Sequence, residues 1–268
     1  SSQLNLYPRN EAETLVNWLL EHHLGLRRVD MMNFLEEKDL PEALKEDFDR
    51  LKTGEPIQYI LGYGPFYGRE FEVSPATLIP RNETEELVHL IIKENHQPNL
   101  RILDIGTGTG CIPITLALEM KNPSIYGVDI STEALVTAKL NAKKLLAKVD
   151  FLVCDILNEI PDLEKLDIVV SNPPYIPIEE KSQMHCNVLD FEPELALFVA
   201  DDDPLIFYRK IADLGITSLK PGGKLYFEIN ERFGSQVAAL LEKLGYRFVK
   251  VIKDLNEKER IVSAQISS

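Results

Sequence analysis

Strand-like and helix-like segments alternate along the chain from about residue 100 onward. Short apolar runs fit buried strands, and the segments between them have helical periodicity. The strand candidates are RILDI, SIYGVDI, VDFLVC, LDIVVSN and GGKLYFEI, and the helix candidates are CIPITLALEM, TEALVTAKLNAKKLL and PLIFYRKIADLGITSL. This alternation predicts an α/β domain in which helices cover both faces of a parallel sheet. The near-continuous apolar strands support burial on both faces.

The part of the chain before this alternation has other patterns. Residues 1–55 predict a small bundle of short helices, because NEAETLVNWLLEHHL and PEALKEDFDRLKTG have helical features. Residues 56–80 place aromatic and β-branched residues around glycines, which predicts a β-hairpin linker. The α/β domain then occupies residues 81–268. Its entry helix is predicted near RNETEELVHLII, with Asn82 as the cap and Glu85 in a capping-box position.

A glycine-rich loop, LDIGTGTGC, follows the first strand of this domain and opens a helix. Glycines let a backbone turn sharply and approach a ligand closely. The G-x-G-x-G spacing is an imperfect dinucleotide fingerprint, because Cys111 stands where the G-x-G-x-x-G pattern needs its last glycine. Asp104 is expected to meet an ammonium group of the ligand directly or through water. A tight turn without a ligand is the alternative. The predicted cofactor loop is Gly106, Thr107, Gly108, Thr109 and Gly110.

Acidic residues also end the next two strands. Asp129 can accept hydrogen bonds from both hydroxyls of a ribose, or it can simply favour the start of the following helix. Asp155 is expected to accept from an adenine amino group while Ile156 packs on the ring, and a solvated turn acid is the alternative. NAD and S-adenosylmethionine both carry an adenosine ribose, so these features do not separate them.

The stretch SNPPYI follows the fourth strand, at the sheet edge where ligands bind in open α/β folds. Asn172 offers a carbonyl oxygen, Pro173 offers its backbone carbonyl, and Pro174 has no N–H to donate. Tyr175 offers a face for stacking. Two acceptors without a competing donor suit a planar NH2 group, whose nitrogen would face a methyl donor. Such alignment can contribute several kcal/mol, up to about 7–11 kcal/mol in intramolecular reactions.

Net charge and composition argue against several other classes of protein. The net charge is −14, and the basic residues are dispersed among acids, which favours a protein or small-molecule partner over nucleic acid. The three cysteines are far apart and form no CxxC pair, which argues against a disulfide framework or a zinc site and fits a cytoplasmic protein. No apolar stretch of membrane-spanning length and no signal peptide is expected.

The tetrapeptide and the glycine loop together resemble the amino-methyltransferases that use S-adenosylmethionine, a class that includes DNA adenine methyltransferases. Four further stretches are similar to the HemK-like protein-(glutamine-N5) methyltransferases of peptide-chain release factors. These stretches are residues 55–88, 189–198, 219–229 and 253–262. The sequence departs from that family's pattern at Asn82, which replaces a proline, at VADDDPL, which replaces a glycine-rich run, and at EIN and DLNEKER.

The resemblance implies a seven-stranded Rossmann-like methyltransferase sheet and S-adenosyl-L-methionine as cofactor. It implies methyl transfer to the amide nitrogen of the Gly-Gly-Gln glutamine of class I release factors, which modulates translation termination. Asn172, Pro173 and Tyr175 would grip this glutamine, and the glycine loop, Asp129 and Asn172 would contact the cofactor. The helical domain and linker would dock the release factor. The expected protein is a monomer without direct DNA binding; the alternative is a DNA adenine N6-methyltransferase.

Overall fold

The computed structural model describes residues 6–25 and 40–267, which form two compact units. One unit contains the described residues up to Tyr63 together with Met184–Phe191, and the other contains Gly64–Gln183 and the described residues from Glu192 onward. Residues 1–5 and 26–39 of the predicted helical domain lie outside the described residues. Across the described part of the chain, no helix has both the length and the apolar character needed to cross a membrane.

The elements are numbered here in chain order. The helices are α1 Arg9–Leu24, α2 Glu42–Lys52, α3 Ile57–Leu61, α4 Asn82–Glu94, α5 Cys111–Glu119, α6 Thr132–Lys144, α7 Cys186–Phe191, α8 Glu194–Leu197, α9 Ile206–Ser218 and α10 Gly234–Lys243, with a 3-10 helix at Ile178–Gln183. The strands are β1 Tyr63–Phe66, β2 Arg69–Glu72, β3 Arg101–Ile105, β4 Ser124–Asp129, β5 Asp150–Val153, β6 Leu166–Ser171, β7 Ile176–Pro177, β8 Phe198–Val199, β9 Leu219–Glu228, β10 Arg247–Lys253 and β11 Glu259–Gln265.

The first unit is helical and contains α1, α2, α3 and α7. Leu19, Leu51 and Ile57 are buried in its apolar core. The pattern of residues 56–80 predicts paired strands, but its first part forms α3 instead. Pro56 precedes this helix, and Gly62 ends it in the left-handed region at φ 79°. A proline before the first turn and a left-handed glycine after the last turn are local helix signals that outweigh the strand-like composition.

The predicted hairpin is present as β1 and β2, which pair around a turn at Tyr67 and Gly68. The next helix, α4, begins within the predicted stretch, but the prediction that Asn82 caps it is wrong, because Asn82 is its first helical residue. Arg81 occupies the cap position, and no side chain caps the helix. Glu85 accepts a hydrogen bond from the Tyr67 backbone N–H at 2.7 Å instead, so its carboxylate ties the hairpin to α4.

The second unit is built on a seven-stranded sheet of order β10-β11-β9-β6-β3-β4-β5. The five strands from β9 to β5 are parallel, as predicted. Strand β11 differs from that prediction, because it runs antiparallel to both of its neighbours, β9 and β10. A short loop connects β10 to β11, and so short a connection joins antiparallel rather than parallel strands. The expected seven-stranded α/β fold is therefore confirmed, with one antiparallel strand, β11, between β10 and β9.

Successive residues of each strand enter different apolar cores. On β6, Ile168 and Val170 pack with α4 and α5, whereas Val169 packs with α9 and α10. On β9, Tyr226 belongs to the first core, and Leu225 and Phe227 belong to the second. Side chains alternate between the two faces of a strand. The continuous apolar runs in the sequence therefore reflect helices on both faces of the sheet.

Candidate active site

Four neighbouring strands end at the same level of the sheet. Ile105 of β3 pairs with Val128 of β4 and with Ser171 of β6, and Ser171 pairs with Phe227 of β9. The order of strands reverses at β3, and ligands of open α/β sheets bind outside the strand ends at such a point. The residues that follow this register form one row at the carboxyl edge: Gly106, Asp129, Asn172 and Glu228.

The glycine loop, residues 106–110, begins at the first position of this row. Both Gly106 and Thr107 donate their backbone N–H groups to the Val128 carbonyl, at 2.9 and 3.0 Å. Gly106, Gly108 and Gly110 all have positive φ. Asp129 holds the loop from the side, because its Oδ2 accepts from the Gly108 N–H at 2.9 Å and its Oδ1 accepts from the Ser131 N–H at 2.9 Å. Burial raises the pKa of Asp129, and these two N–H groups oppose that rise.

Asp104 lies beneath the loop and is fully buried. Within the described residues, neither of its carboxylate oxygens meets the geometric criteria of a hydrogen bond, and the nearby Thr107 hydroxyl is also unpartnered. Burial raises the pKa of Asp104 to about 7, the Thr107 hydroxyl opposes the rise, and the Asp129 charge adds to it. Buried polar groups are normally satisfied, so these atoms need an explanation such as a bound polar group or water.

Replacing Asp104 with asparagine should make the stability of the ligand-free protein less sensitive to a rise in pH from about 5 to 8. The folded-state pKa of about 7 exceeds the ordinary value of 3.8, so the native state binds more protons than the unfolded state in this range. Stability must then fall as pH rises through the range and level off above it. Between about pH 5 and pH 8, the wild type should lose roughly 2–3 kcal/mol of unfolding free energy relative to the variant. Urea unfolding at both pH values measures this. If the difference in unfolding free energy between the wild type and the variant is the same at both pH values, the raised pKa assigned to Asp104 is refuted.

Asn172 occupies the middle of the row and is connected to groups behind it. Its Nδ2 donates to the Thr84 hydroxyl at 3.2 Å, and Thr84 donates to Glu228 Oε2 at 2.7 Å. The Tyr175 hydroxyl donates to the other carboxylate oxygen of Glu228 at 3.2 Å. Burial raises the pKa of Tyr175, which keeps this phenol protonated as a donor. Sequence reasoning missed Thr84 and Glu228; the place of Glu228 at the end of the strand KLYFE was the available signal.

Asp155 lies in the turn that follows β5. Its Oδ1 accepts from the Leu157 N–H at 3.0 Å, and its Oδ2 accepts from the Asn158 side chain at 2.7 Å. The carboxylate therefore acts as a turn acid, which is one of the two alternatives from the sequence. It also lines the cavity together with Ile156, whose side chain packs against the core shared with α9. Contact with an adenine amino group stays a prediction.

A cavity of about 300 Å³ opens at this edge of the sheet. Three predicted site residues do not line it: Asp104 lies under the loop, Gly110 packs against α6, and Tyr175 packs against the apolar core that contains α9 and α10. The predicted residues that line it are Gly106, Thr107, Gly108, Thr109, Asp129, Asp155, Ile156, Asn172, Pro173 and Pro174. The structure thus brings together the glycine loop, the two strand-end acids and the first three residues of the tetrapeptide.

A segment before α4 forms one wall of the cavity and is held by a buried acid. Residues 76–81 line the cavity. Glu192, which is 5% exposed, accepts from the Ile79 backbone N–H at 3.2 Å and pairs with the Arg81 guanidinium at 2.5 Å. A charge-assisted bond to Arg81 and a backbone bond from Ile79 to one carboxylate fix the C-terminal half of this stretch. Glu192 belongs to the stretch LDFEPELALF, but its anchoring role was not predicted.

Comparison with known proteins identifies two matching families. A family profile described as Methyltransferase domain matches residues 96–253, and one described as PrmC N-terminal domain matches residues 1–62. A release factor glutamine methyltransferase of Bacteroides thetaiotaomicron is 46% identical over 97% of this chain and 95% of its own length. The protein of the same name from Flavobacterium psychrophilum is 43% identical over 96% of this chain and 93% of its length.

Comparison with solved structures supports the fold. The crystal structure of a methyltransferase from Pyrococcus furiosus aligns with a TM-score of 0.56 at 17% identity, over 84% of this chain and 100% of that chain. At this level of identity the likeness concerns the fold alone. It agrees with the seven-stranded sheet described above.

Proposed function

This chain belongs to the release factor glutamine methyltransferase family, and from that membership we propose that it methylates the side-chain amide nitrogen of the Gly-Gly-Gln glutamine in class I peptide-chain release factors. The observation that carries the proposal is the orientation of Asn172. Its NH2 group is bonded to Thr84, so its carbonyl oxygen is left to accept from a substrate. An amide NH2 group is a substrate that such an acceptor can hold.

The residues of the cavity, together with Asp104 beneath the glycine loop, fit S-adenosyl-L-methionine. The unpartnered carboxylate of Asp104 could satisfy an ammonium group through water or directly, and Asp129 keeps lone pairs for ribose hydroxyls beside its two backbone bonds. The backbone of Gly106–Gly110 and the side chain of Ile156 would complete the cofactor site. When bound, the cofactor supplies a methyl group on a positively charged sulfur.

On the substrate side, the chain's own groups hold and align an amide. Asn172 Oδ1 and the Pro173 carbonyl would each accept a hydrogen bond from one N–H of the substrate amide. Pro174 has no N–H that could compete for these acceptors. Because the acceptors are fixed in advance, alignment contributes to the rate without reorganisation of the site. The ring of Tyr175 packs in the core, and its stacking on the substrate stays a prediction.

The remaining expectations rest on the sequence. The alternative of a DNA adenine methyltransferase is not favoured, since the named relatives cover nearly the whole chain. We also propose that residues 1–55 and the linker at 56–80 dock the release factor. A cytoplasmic location, a monomeric state and the lack of direct DNA binding stay predictions.

The proposed function is tested with methyl-labelled S-adenosyl-L-methionine and a purified class I release factor. A second sample contains the same factor with its Gly-Gly-Gln glutamine changed to alanine, and a third contains duplex DNA. We expect label in the unaltered factor only. Label in the alanine factor would move the target to another residue, and label in DNA would support the adenine alternative. No label in any sample, with cofactor bound, would refute the proposed substrate.

A further inference from the structure

We propose that Thr84 and Glu228 are positioning residues that fix the side-chain amide of Asn172 with its carbonyl oxygen toward the cavity. This inference rests on the proposed function, in which Asn172 accepts a hydrogen bond from the substrate amide. An asparagine amide has a donor end and an acceptor end of nearly equal shape. A site that recognises an NH2 group therefore needs a second group that decides which end faces the substrate.

The single proton of the Thr84 hydroxyl decides this orientation. Its Oγ1 lies 2.7 Å from Glu228 Oε2 and 3.2 Å from the Asn172 amide. An ionised carboxylate can only accept, so the hydroxyl donates its proton to Glu228. Toward Asn172 the hydroxyl then presents only lone pairs, and only the NH2 end can bond to it. The flipped amide would place two acceptor oxygens against each other.

The surroundings of Glu228 keep it an acceptor. Thr84 and Tyr175 each donate to one of its oxygens, and its side chain is buried. Burial raises the pKa of Glu228, and the charge of Glu83 adds to the rise. The hydroxyls of Thr84 and Tyr175 and the positive charge of Arg260 oppose it. Arg260 is itself held by an ion pair with the buried Asp254 at 3.2 Å. Two donors and a fixed positive charge favour the ionised carboxylate.

The network joins distant parts of the chain. Thr84 lies in the first turn of α4, Asn172 follows β6, and Glu228 ends β9. The row at the sheet edge brings Asn172 and Glu228 side by side, and α4 inserts Thr84 between them. Thr84 lines the cavity and Glu228 does not, but both residues are proposed to act through Asn172 and are therefore positioning residues. Their effect belongs in the turnover step, since correct alignment of the reacting nitrogen depends on the acceptor.

Isosteric variants test this inference. Thr84→Val removes the hydroxyl and keeps the shape, and Thr84→Ser keeps the hydroxyl. Glu228→Gln adds a donor that can bond to the Thr84 oxygen, so the Thr84 proton would turn to Asn172 and reverse its amide. We expect kcat for release factor methylation to fall roughly 10- to 100-fold in Thr84→Val and in Glu228→Gln. The KM for the release factor and the Kd for S-adenosyl-L-methionine should change less than about threefold. Thr84→Ser should restore most of kcat.

Each result separates positioning from a structural role. Near-normal kcat in Thr84→Val, or equal losses in the valine and serine variants at unchanged melting temperature, would overturn the inference while the function stands. If the wild type methylates no release factor, the proposed function fails. The hydrogen bonds among Asn172, Thr84 and Glu228 are then tested by NMR of the Asn172 side-chain NH2 group. Its shift should change in Thr84→Val and persist in Thr84→Ser. The same shift in all three proteins would overturn the inference.

Discussion

Replacing Asn172 with alanine should lower kcat for release factor methylation by about 100- to 1,000-fold. The variant loses the side-chain acceptor that the proposed site offers to the substrate amide, and removal of one such preorganised partner costs about this much in other enzymes. The protein should stay folded, since Asn172 is only partly buried and donates one bond, to Thr84. Single-turnover transfer of labelled methyl groups measures the loss, and calorimetry measures cofactor affinity, which should change less than about tenfold.

A matched control is Asn256→Ala, which removes the same side chain from an exposed turn in the β10–β11 connection. It should leave kcat and cofactor affinity unchanged. If Asn172→Ala keeps full methyl transfer while cofactor binding stays intact, the assignment of the amide site to this residue is wrong. If both activity and cofactor binding vanish together, Asn172 acts mainly on the cofactor rather than on the glutamine.

Replacing Gly110 with alanine should destabilise the methyltransferase unit by roughly 2–5 kcal/mol. Gly110 has φ +79°, and an added Cβ would lie 2.9 Å from Ile114 Cδ1, 3.2 Å from Ala138 Cβ and 3.4 Å from Ala138 Cα. Left-handed backbone costs an alanine about 1–2 kcal/mol, and overpacking adds about 1–3 kcal/mol. The Ile114 side chain can move, but α6 at Ala138 cannot move without disturbing the cofactor loop. Urea unfolding measures the loss in free energy.

Gly68→Ala separates the two contributions. Gly68 has φ +72°, and an added Cβ there would meet no atom within 4 Å. It lies in the same unit as Gly110, in the turn of the hairpin. This control should lose only the free energy that left-handed backbone costs an alanine, about 1–2 kcal/mol. Equal losses in the two variants would show that close packing of the loop on α6 contributes nothing measurable.

Local signals predicted most of the sheet. The five parallel strands and the glycine loop lie where apolar runs and the G-x-G-x-G spacing place them, because both signals depend on neighbouring residues only. The row of strand ends also followed, since Asp129 and Asn172 come directly after apolar runs. Local reasoning failed at Asn82, which is the first helical residue after Arg81 and not the cap, and at Glu85, which bonds to the hairpin instead.

The supporting network could not be predicted from local signals. The Asn172 to Thr84 bond spans 88 residues of sequence, and the Thr84 to Glu228 bond spans 144. Neither Thr84 nor Glu228 belongs to a motif that binds a ligand, and the proximity of these two residues depends on the packing of α4 against the sheet. For Asp155, local signals predicted the position of the residue but not its contacts. Its position was predicted, but whether its oxygens bond to a ligand or to their own turn depends on the conformation of residues 155–158.

The level at which the strands end has an evolutionary consequence. Gly106, Asp129, Asn172 and Glu228 share one row because the strands are paired in register, whatever the length of the segments that connect them. Insertions in those connections can therefore accumulate without moving the reacting groups relative to one another. A single inserted residue within a strand would move its last side chain to the other face and separate it from the row. Length variation should therefore be tolerated between strands and selected against within them.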